Sequence, residues 1–262
     1  MDLNLKDKII LVAAGSRGLG FGIAEACIKE GATACIASRA QEKVNAAVEA
    51  LSQHDGKVQG AVLNAKDGDS IRQWVEPLIA QHGRIDGLVV NAGGPPAGKF
   101  DDFDESDWQN AFELTLMSAV RMIHAVLPTM RAQKSGSILT ITSSSIKEPI
   151  DTILLSNVMR AGVTSLVKSL SRDLIQDGIR VNNLVPGMIM TDRITQLSED
   201  RAQKRGLDPA TIIQEMEAPI PLGRFGTTEE FGQTGAFLLS DAASYTNGVS
   251  YFVDGGLSRT LW

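Results

Sequence analysis

The sequence predicts an α/β fold, a doubly wound parallel sheet of seven strands with helices on both faces. Short apolar runs alternate with segments of helical periodicity from one end of the chain to the other. The first such pair is joined by a glycine-rich turn, which is typical of a strand followed by a helix. No Pro/Ser-rich linker, repeat or low-complexity tract divides the 262 residues, so we expect a single domain over residues 1–262.

The segment 8–31 predicts a strand, a tight turn and a helix. Its first residues are apolar and partly β-branched, as in a buried parallel strand, and its last ones repeat with helical spacing. Gly15, Gly18 and Gly20 lie between them. Glycines let a phosphate approach the backbone closely, and the free N–H groups of the helix N-terminus attract its charge. The segment therefore favours a bound nucleotide over an ordinary strand-to-helix turn.

The second predicted strand, 33–37, indicates which nucleotide is bound. A site for NAD usually carries an acid about 20 residues after the glycines, where it binds the ribose 2′-hydroxyl. This strand instead ends in Ser38 and Arg39, with no acid. Arg39 and Arg17 supply positive charge where a 2′-phosphate would lie, although two solvated surface arginines are the alternative. We predict NADP(H).

The remaining elements alternate in the same way. Strands are predicted at 58–63, 85–90, 137–142, 179–185 and 249–253, and helices at about 40–53, 68–82, 105–133, 152–177 and 228–240. The helix at 152–177 has little charge, so it packs against the sheet or in a subunit contact. In this architecture ligands bind at the carboxyl ends of the strands.

Composition excludes several classes of function. A net charge of −6 argues against a nucleic-acid partner and an anionic membrane surface. We find no apolar run of the ~20 residues needed to span a membrane, and no signal peptide precedes Asp2, so a cytoplasmic protein is expected. Cys27 and Cys35 are expected to be reduced, buried thiols. The three histidines are scattered without metal-ligand spacing, so we expect no metal.

Four short motifs follow one another along the chain: Gly15-Ser16-Arg17-Gly18-Leu19-Gly20, Val90-Asn91-Ala92-Gly93, Pro186-Gly187-Met188-Ile189-Met190-Thr191 and Val253-Asp254-Gly255-Gly256. In this order and spacing, over about residues 5–256, the chain resembles the short-chain dehydrogenase/reductase family. Within that family it is similar to 3-oxoacyl-acyl-carrier-protein reductases. The resemblance implies a Rossmann-like sheet and an NADP(H)-dependent reductase.

The resemblance, together with the arginines after the first two strands, predicts the cofactor-binding residues. They are Gly15, Ser16, Arg17, Gly18, Leu19, Gly20, Ser38, Arg39, Asn64, Asn91, Ala92, Gly93, Arg160, Pro186, Gly187 and Thr191.

The same resemblance exposes a change in the catalytic residues. The family's serine matches Ser143, but the tyrosine expected thirteen residues later is Ser156, and the lysine four further on is Arg160. The expected asparagine is Thr115. The alternative tyrosine position of enoyl reductases is Ile153, and the only two tyrosines belong to the last helix and strand.

The replacements change the chemistry that the site can perform. A serine hydroxyl is a much weaker acid than a tyrosine, and an arginine stays charged, so neither relays a proton well. Ser156 and Arg160 are four residues apart on a helix and share a face. With Ser143 they are predicted to form an oxyanion site. Lys147 is the candidate substitute acid, since desolvation and the charge of Arg160 would favour loss of its proton. A solvated loop lysine is the alternative.

Residues 188–226 form a long insert before the last helix. Helical pieces are predicted around 199–217, with breaks at Pro209, Pro219 and Pro221. An insert of this length is typical of a lid over the reactive end of the cofactor. Its apolar residues suit an acyl chain, or equally the packing face of the lid: Met188, Met190, Ile194, Leu197, Ile212, Ile213 and Met216.

Two classes of function remain open. The first is an NADP(H)-dependent reductase acting on a carbonyl group of a small molecule or acyl thioester, 3-oxoacyl-like, or an enoyl-type reductase. The second is a non-catalytic NADP(H)-binding sensor or assembly protein. Relatives with this layout pair their long helices across two-fold axes, so a homotetramer is expected.

Overall fold

The computed structural model describes residues 2–261, and it contains a seven-stranded sheet in which every neighbouring pair is parallel. The strand order is β3-β2-β1-β4-β5-β6-β7. The strands are β1 Ile9–Ala13, β2 Thr33–Ser38, β3 Lys57–Val62, β4 Gly87–Val90, β5 Gly136–Ile141, β6 Ile179–Pro186 and β7 Ser250–Val253. The predicted doubly wound parallel sheet is confirmed.

Nine α-helices lie in the described part of the chain. They are α1 Gly18–Lys29, α2 Gln41–Leu51, α3 Gly68–His82, α4 Glu105–Ala111, α5 Ser118–Gln133, α6 Leu154–Asp173, α7 Asp192–Arg205, α8 Pro209–Glu217 and α9 Thr228–Leu239. The alternation of side chains along β1 sets the two layers, because successive residues of a strand point to opposite faces. Leu11 packs with α3, α5 and α6, whereas Val12 packs with α1, α2 and α9.

The structure corrects the predicted helix at 105–133. It is divided into α4, a π-helical turn over Phe112–Met117, and α5. A single π-helical turn inside an α-helix often marks a functional site, and periodicity alone does not reveal it. Thr115 lies in this turn and is buried.

One predicted boundary in the insert was also wrong. The first helix, α7, begins at Asp192 and not near residue 199, because Thr191 takes an extended conformation at its N-cap. The predicted break at Pro209 is present, since α7 ends at Arg205 and Pro209 begins α8, a first helical position to which proline is well suited. The Asp208 carboxylate caps this helix by accepting from the Ala210 N–H.

Helices α1 and α9 touch through their backbones. A Cβ on Gly22 would lie 2.2 Å from the Thr228 carbonyl oxygen, and one on Gly232 would lie 2.1 Å from the Gly22 oxygen. Only glycine fits at such distances, so the helix that begins at the glycine turn is fixed against the helix that follows the insert.

The helical stretch from Glu105 to Gln133 is long and apolar enough to cross a membrane by length and composition. The expectation that no such stretch exists was therefore wrong. Its apolar side is covered by the sheet, with Met122, Val126 and Met130 fully buried. A core helix meets the same criterion, so the finding is weak evidence for a membrane span.

Both cysteines are buried free thiols, as predicted. Burial raises the pKa of Cys27 to about 12, with a further contribution from the charge of Glu30. Burial likewise raises the pKa of Cys35 to about 12. Both side chains act as core residues.

Candidate active site

The glycine turn after β1 has the close backbone approach that a phosphate-binding loop needs. Ala14 and Gly18 adopt positive φ angles of 50° and 58°. A Cβ on Gly20 would lie 2.6 Å from the Ala14 carbonyl oxygen, so glycine is required there. The Gly15 N–H donates to the Ala37 carbonyl at 3.1 Å, which fixes the turn against β2.

The N-terminus of α1 is open to an anion. Arg17 occupies the N-cap without a capping side chain, and the first turn carries no acid. Arg17 and Arg39 are exposed, and neither forms an ion pair with any of residues 2–261. Uncapped N–H groups beside two unpaired guanidinium groups fit a nucleotide phosphate.

The segment after β6 closes over this turn. A Cβ on Gly187 would lie 2.5 Å from the Cα of Asp254, so the Pro186-Gly187 turn packs directly against the end of β7. The position of a Cβ on Gly18 lies 3.5 Å from the Thr191 methyl group. Two of the predicted cofactor segments are thereby brought together.

The ends of β4 and β5 form a second part of the site. Asn91, Ala92 and Gly93 line a cavity of about 20 Å³ together with Thr115 and Arg160. This volume is enough for one water molecule. Asn64 lies after β3, where its side-chain oxygen accepts from the Lys66 N–H in a turn.

Arg160 is held across the end of β5 by three hydrogen bonds. Its Nη1 donates to the carbonyl oxygens of Ile141 and Thr142 at 3.0 and 3.1 Å. Its Nε donates to the Ser156 hydroxyl oxygen at 3.0 Å. Desolvation lowers the pKa of Arg160 to about 10, with a further contribution from the charge of Arg193. The guanidinium group therefore stays charged at neutral pH.

Neither of the two predicted serine hydroxyls donates a hydrogen bond to any of residues 2–261. The Ser143 hydroxyl oxygen accepts from the Ser145 N–H at 3.2 Å, and the Ser156 oxygen accepts from Arg160. Because each oxygen is already an acceptor, each O–H is available to donate to a ligand. The arrangement suits stabilisation of a developing negative charge on a substrate oxygen.

Thr115 is a buried polar residue without a partner. Its hydroxyl oxygen makes no hydrogen bond with residues 2–261, although it lies in the cavity that Arg160 also lines. Thr115 lies in the π-helical turn, at the position where the resemblance predicts an asparagine. A water molecule in the cavity would satisfy the hydroxyl group.

The environment of Lys147 differs from the buried one that was predicted for a proton donor. Its side chain is exposed, so the expected desolvation is wrong. It lines a separate cavity of about 550 Å³ with Lys168, Phe252 and Asp254. A role as proton donor stays a prediction.

The structure also locates both tyrosines and a residue that the sequence analysis missed. Tyr245 is fully exposed and Tyr251 lies on β7. In the described part of the chain, the cavity that contains Arg160 is lined by neither. Arg193, at the start of α7, comes close to Arg160 beside Gly94. Its place two residues after Thr191 was the available signal.

Comparisons with known proteins identify the family of this chain. The model of a family described as enoyl-(acyl carrier protein) reductase matches residues 13–258. An uncharacterized oxidoreductase of Bacillus subtilis is 34% identical over 265 residues, with all of both chains covered. The chain belongs to the short-chain dehydrogenase/reductase family.

Other members of the family are equally similar along their whole length. The 3-oxoacyl-[acyl-carrier-protein] reductase of Chlamydia pneumoniae is 32% identical over 98% of this chain and 100% of its own. The crystal structure of L-sorbose reductase from Gluconobacter frateurii, complexed with NADPH and L-sorbose, superimposes with a TM-score of 0.96 at 30% identity. That alignment covers all of both chains.

Proposed function

We propose that this chain is an NADP(H)-dependent oxidoreductase that reduces a carbonyl or conjugated acyl group. The observation that carries the proposal is the Arg160–Ser156 hydrogen bond of 3.0 Å at the edge of the sheet where the glycine turn also lies. A buried cation that orients a hydroxyl donor supplies electrostatic stabilisation to an oxygen that gains negative charge.

The cofactor would be held by the residues of three loops. The glycine turn and the open N-terminus of α1 would bind its diphosphate, and Arg17 and Arg39 would bind the 2′-phosphate. The L-sorbose reductase structure contains NADPH and has the same fold, which supports this assignment. When bound, the reduced cofactor supplies the hydride for the reaction.

The chain's own residues would stabilise the oxygen of the substrate. Ser143 and Ser156 donate hydrogen bonds to it, and the guanidinium group of Arg160 lowers the energy of its negative charge. The proton that completes the reduction of a carbonyl would come from solvent or from Lys147, because no tyrosine lines the cavity that contains Arg160 in residues 2–261.

Reduction of a conjugated double bond is the second candidate. Here the hydride is added to the β-carbon, and the enolate oxygen needs hydrogen-bond donors but not a strong acid. The α-carbon then takes its proton from solvent. Arg160 lies against Ser156 and against the Thr142 carbonyl that precedes Ser143, and among residues 2–261 no tyrosine lines its cavity, which favours this reaction. The family that matches the chain is described as enoyl-(acyl carrier protein) reductase.

The segment 188–226 would act as a lid over the substrate. Ile212 and Phe225 are buried and would pack the lid itself, whereas Ile189 is buried in the main core with Val12 and Leu139. Met188, Met190, Ile194, Leu197, Ile213 and Met216 keep partial exposure and would contact the substrate.

We also propose a homotetramer. Val158 on α6 and Tyr251 on β7 are each 47% exposed, and large apolar side chains of this kind are typical of subunit contacts. Light scattering that gives a stable monomer would contradict this.

A turnover assay tests the proposed function. The protein is incubated with NADPH and a panel of oxo acids, enoic acids and the corresponding thioesters, and oxidation of NADPH is followed by absorbance. We expect slow oxidation with at least one of them. The double change Ser156→Tyr with Arg160→Lys should raise reduction of ordinary ketones if only the acid is missing.

The control is Ser52→Ala at the exposed end of α2, far along the chain from the site and from the proposed subunit contacts, which should change nothing. A reductase function is excluded if NADPH binds tightly, no compound oxidises it, and the double change Ser156→Tyr with Arg160→Lys does not raise the rate of its oxidation. A cofactor-binding sensor or assembly protein would then be the remaining function.

A further inference from the structure

Two arginines approach one point beside the loop that follows β4. The position of a Cβ on Gly94 lies 3.6 Å from Nη1 of Arg193 and 3.9 Å from Nη2 of Arg160. The absence of a side chain at Gly94 leaves the space between the two guanidinium groups open.

The loop that carries Gly94 is fixed in place. The Gly98 N–H donates to the Thr152 carbonyl at 2.7 Å, and Gly98 forms a parallel bridge with Ile153. Pro95 is buried. The loop therefore holds its position across the start of α6, directly before Ser156 and Arg160.

Arg160 has unused donors on the side that faces this space. Its Nε and Nη1 donate to Ser156, Ile141 and Thr142, whereas Nη2 makes no hydrogen bond within residues 2–261. A guanidinium group carries two N–H bonds on Nη2, so this nitrogen keeps donors for a ligand.

Arg193 adds a second positive charge beside Arg160. It lies in the first turn of α7, where the helix dipole disfavours a positive charge and the acid Asp192 offsets part of that effect. Its charge also opposes that of Arg160. No carboxylate of residues 2–261 forms an ion pair with either of them.

We infer that Arg160 and Arg193 bind a carboxylate group of the substrate, over Gly94, while Ser156 and Ser143 bind its reacting oxygen. The substrate is therefore a short oxo acid or enoic acid with a free carboxylate, not a thioester. This inference rests on the proposed function.

The size of the Arg160 guanidinium group limits the distance between the carboxylate of the substrate and its reacting oxygen. Arg160 contacts the Ser156 hydroxyl with one nitrogen and faces the Gly94 space with another, so the carboxylate lies within a few bonds of the reacting oxygen. The phosphates of an acyl carrier are many bonds away from its thioester. They offer the same anionic chemistry but do not fit this spacing.

Calorimetric binding to the protein loaded with NADP⁺ tests the inference without turnover. The probes are acetoacetate, its methyl ester and acetoacetyl-coenzyme A. We expect acetoacetate to bind at least ~10-fold more tightly than the ester, the ratio that a charge-assisted hydrogen bond gives. Arg193→Gln should abolish this preference. Arg201→Gln, which removes another exposed arginine of α7, should preserve it.

Several outcomes would overturn the inference. Equal affinity for the acid and the ester, or no detectable binding of acetoacetate, would do so in the unmodified protein. In Arg193→Gln, an unchanged preference for the acid would do so, as would a larger loss of affinity for acetoacetyl-coenzyme A than for acetoacetate. Calorimetry measures binding and not turnover. If the protein prefers acetoacetate to its ester but does not oxidise NADPH in the turnover assay, that result contradicts the proposed reduction alone.

Discussion

The two sides of the sheet's carboxyl edge differ in how much of the family's pattern they keep. Around β1 and β2, the glycine turn and the open N-terminus of α1 match the family motif. Around β5 and α6, Ser156, Arg160 and Thr115 lie where the resemblance predicts a tyrosine, a lysine and an asparagine. The cofactor side, around β1 and β2, thus has the geometry to bind a nucleotide phosphate. The reaction side, around β5 and α6, combines hydrogen-bond donors and positive charge without an evident acid.

This difference separates binding from chemistry. Phosphate binding depends on backbone N–H groups and close approach, so it tolerates few changes at the glycines. Reaction chemistry depends on individual side chains, so it changes when three side chains change. An arginine where the resemblance predicts a lysine is a planar group with five donors, which binds an anion better than it relays a proton.

The largest expected effect is on the reaction side. Ser143→Ala removes one donor to the substrate oxygen and should lower the rate of NADPH oxidation by ~10²–10³. The affinity for NADPH, measured by fluorescence titration, should be unchanged. A rate that stays within a few-fold of the unmodified protein would show that Ser143 does not contact the reacting oxygen.

The next largest effect is on the cofactor side. Arg39→Asp should weaken NADPH binding by ~2 kcal/mol or more, since a charge-assisted pair with the 2′-phosphate is lost. NADH binding should change little, and Arg201→Asp should affect neither. Equal affinity of the unmodified protein for NADH and NADPH would refute the assignment.

The smallest expected effect is on stability, at the ion pair that links the insert 188–226 to α9. The Glu230 carboxylate accepts from Arg224 at 2.7 and 2.9 Å and from the Thr227 N–H at 2.8 Å, linking the end of the insert to α9. Hydrogen bonding by Arg224, then by Thr227, lowers the pKa of Glu230 to about 2 from 4.5. The stabilisation is therefore present above pH 4.5 and is lost as pH falls towards 2.

Thermal unfolding measures this contribution. Glu230→Gln should lower the midpoint by a few degrees at most near neutral pH, because the pair is solvent-exposed. The difference from the unmodified protein should narrow as the pH falls through that range. Glu199→Gln, which removes an exposed carboxylate of α7, should show no such trend.

Local patterns were sufficient to predict the sheet but not the site. Five of the strands are buried, and β3 and β7 at the two edges are partly exposed, yet the periodicity located all seven. The order of the strands was not predicted. The Arg160–Ser156 pair was predicted because residues four apart share a helix face. The approach of Arg193 to Gly94 depends on how a loop after β4 meets a helix a hundred residues later, and sequence spacing does not encode it. The π-helical turn at Thr115 likewise depends on tertiary packing.

The burial of Cys27 and Cys35 makes this protein suitable for site-specific labelling. Thiol reagents attack the thiolate, and a pKa of about 12 leaves almost none of it at neutral pH. A single cysteine introduced on the exposed face of α7 would then be the only reactive thiol. A fluorophore attached there would report whether the insert moves when nucleotide or acid is added, without first removing either native cysteine.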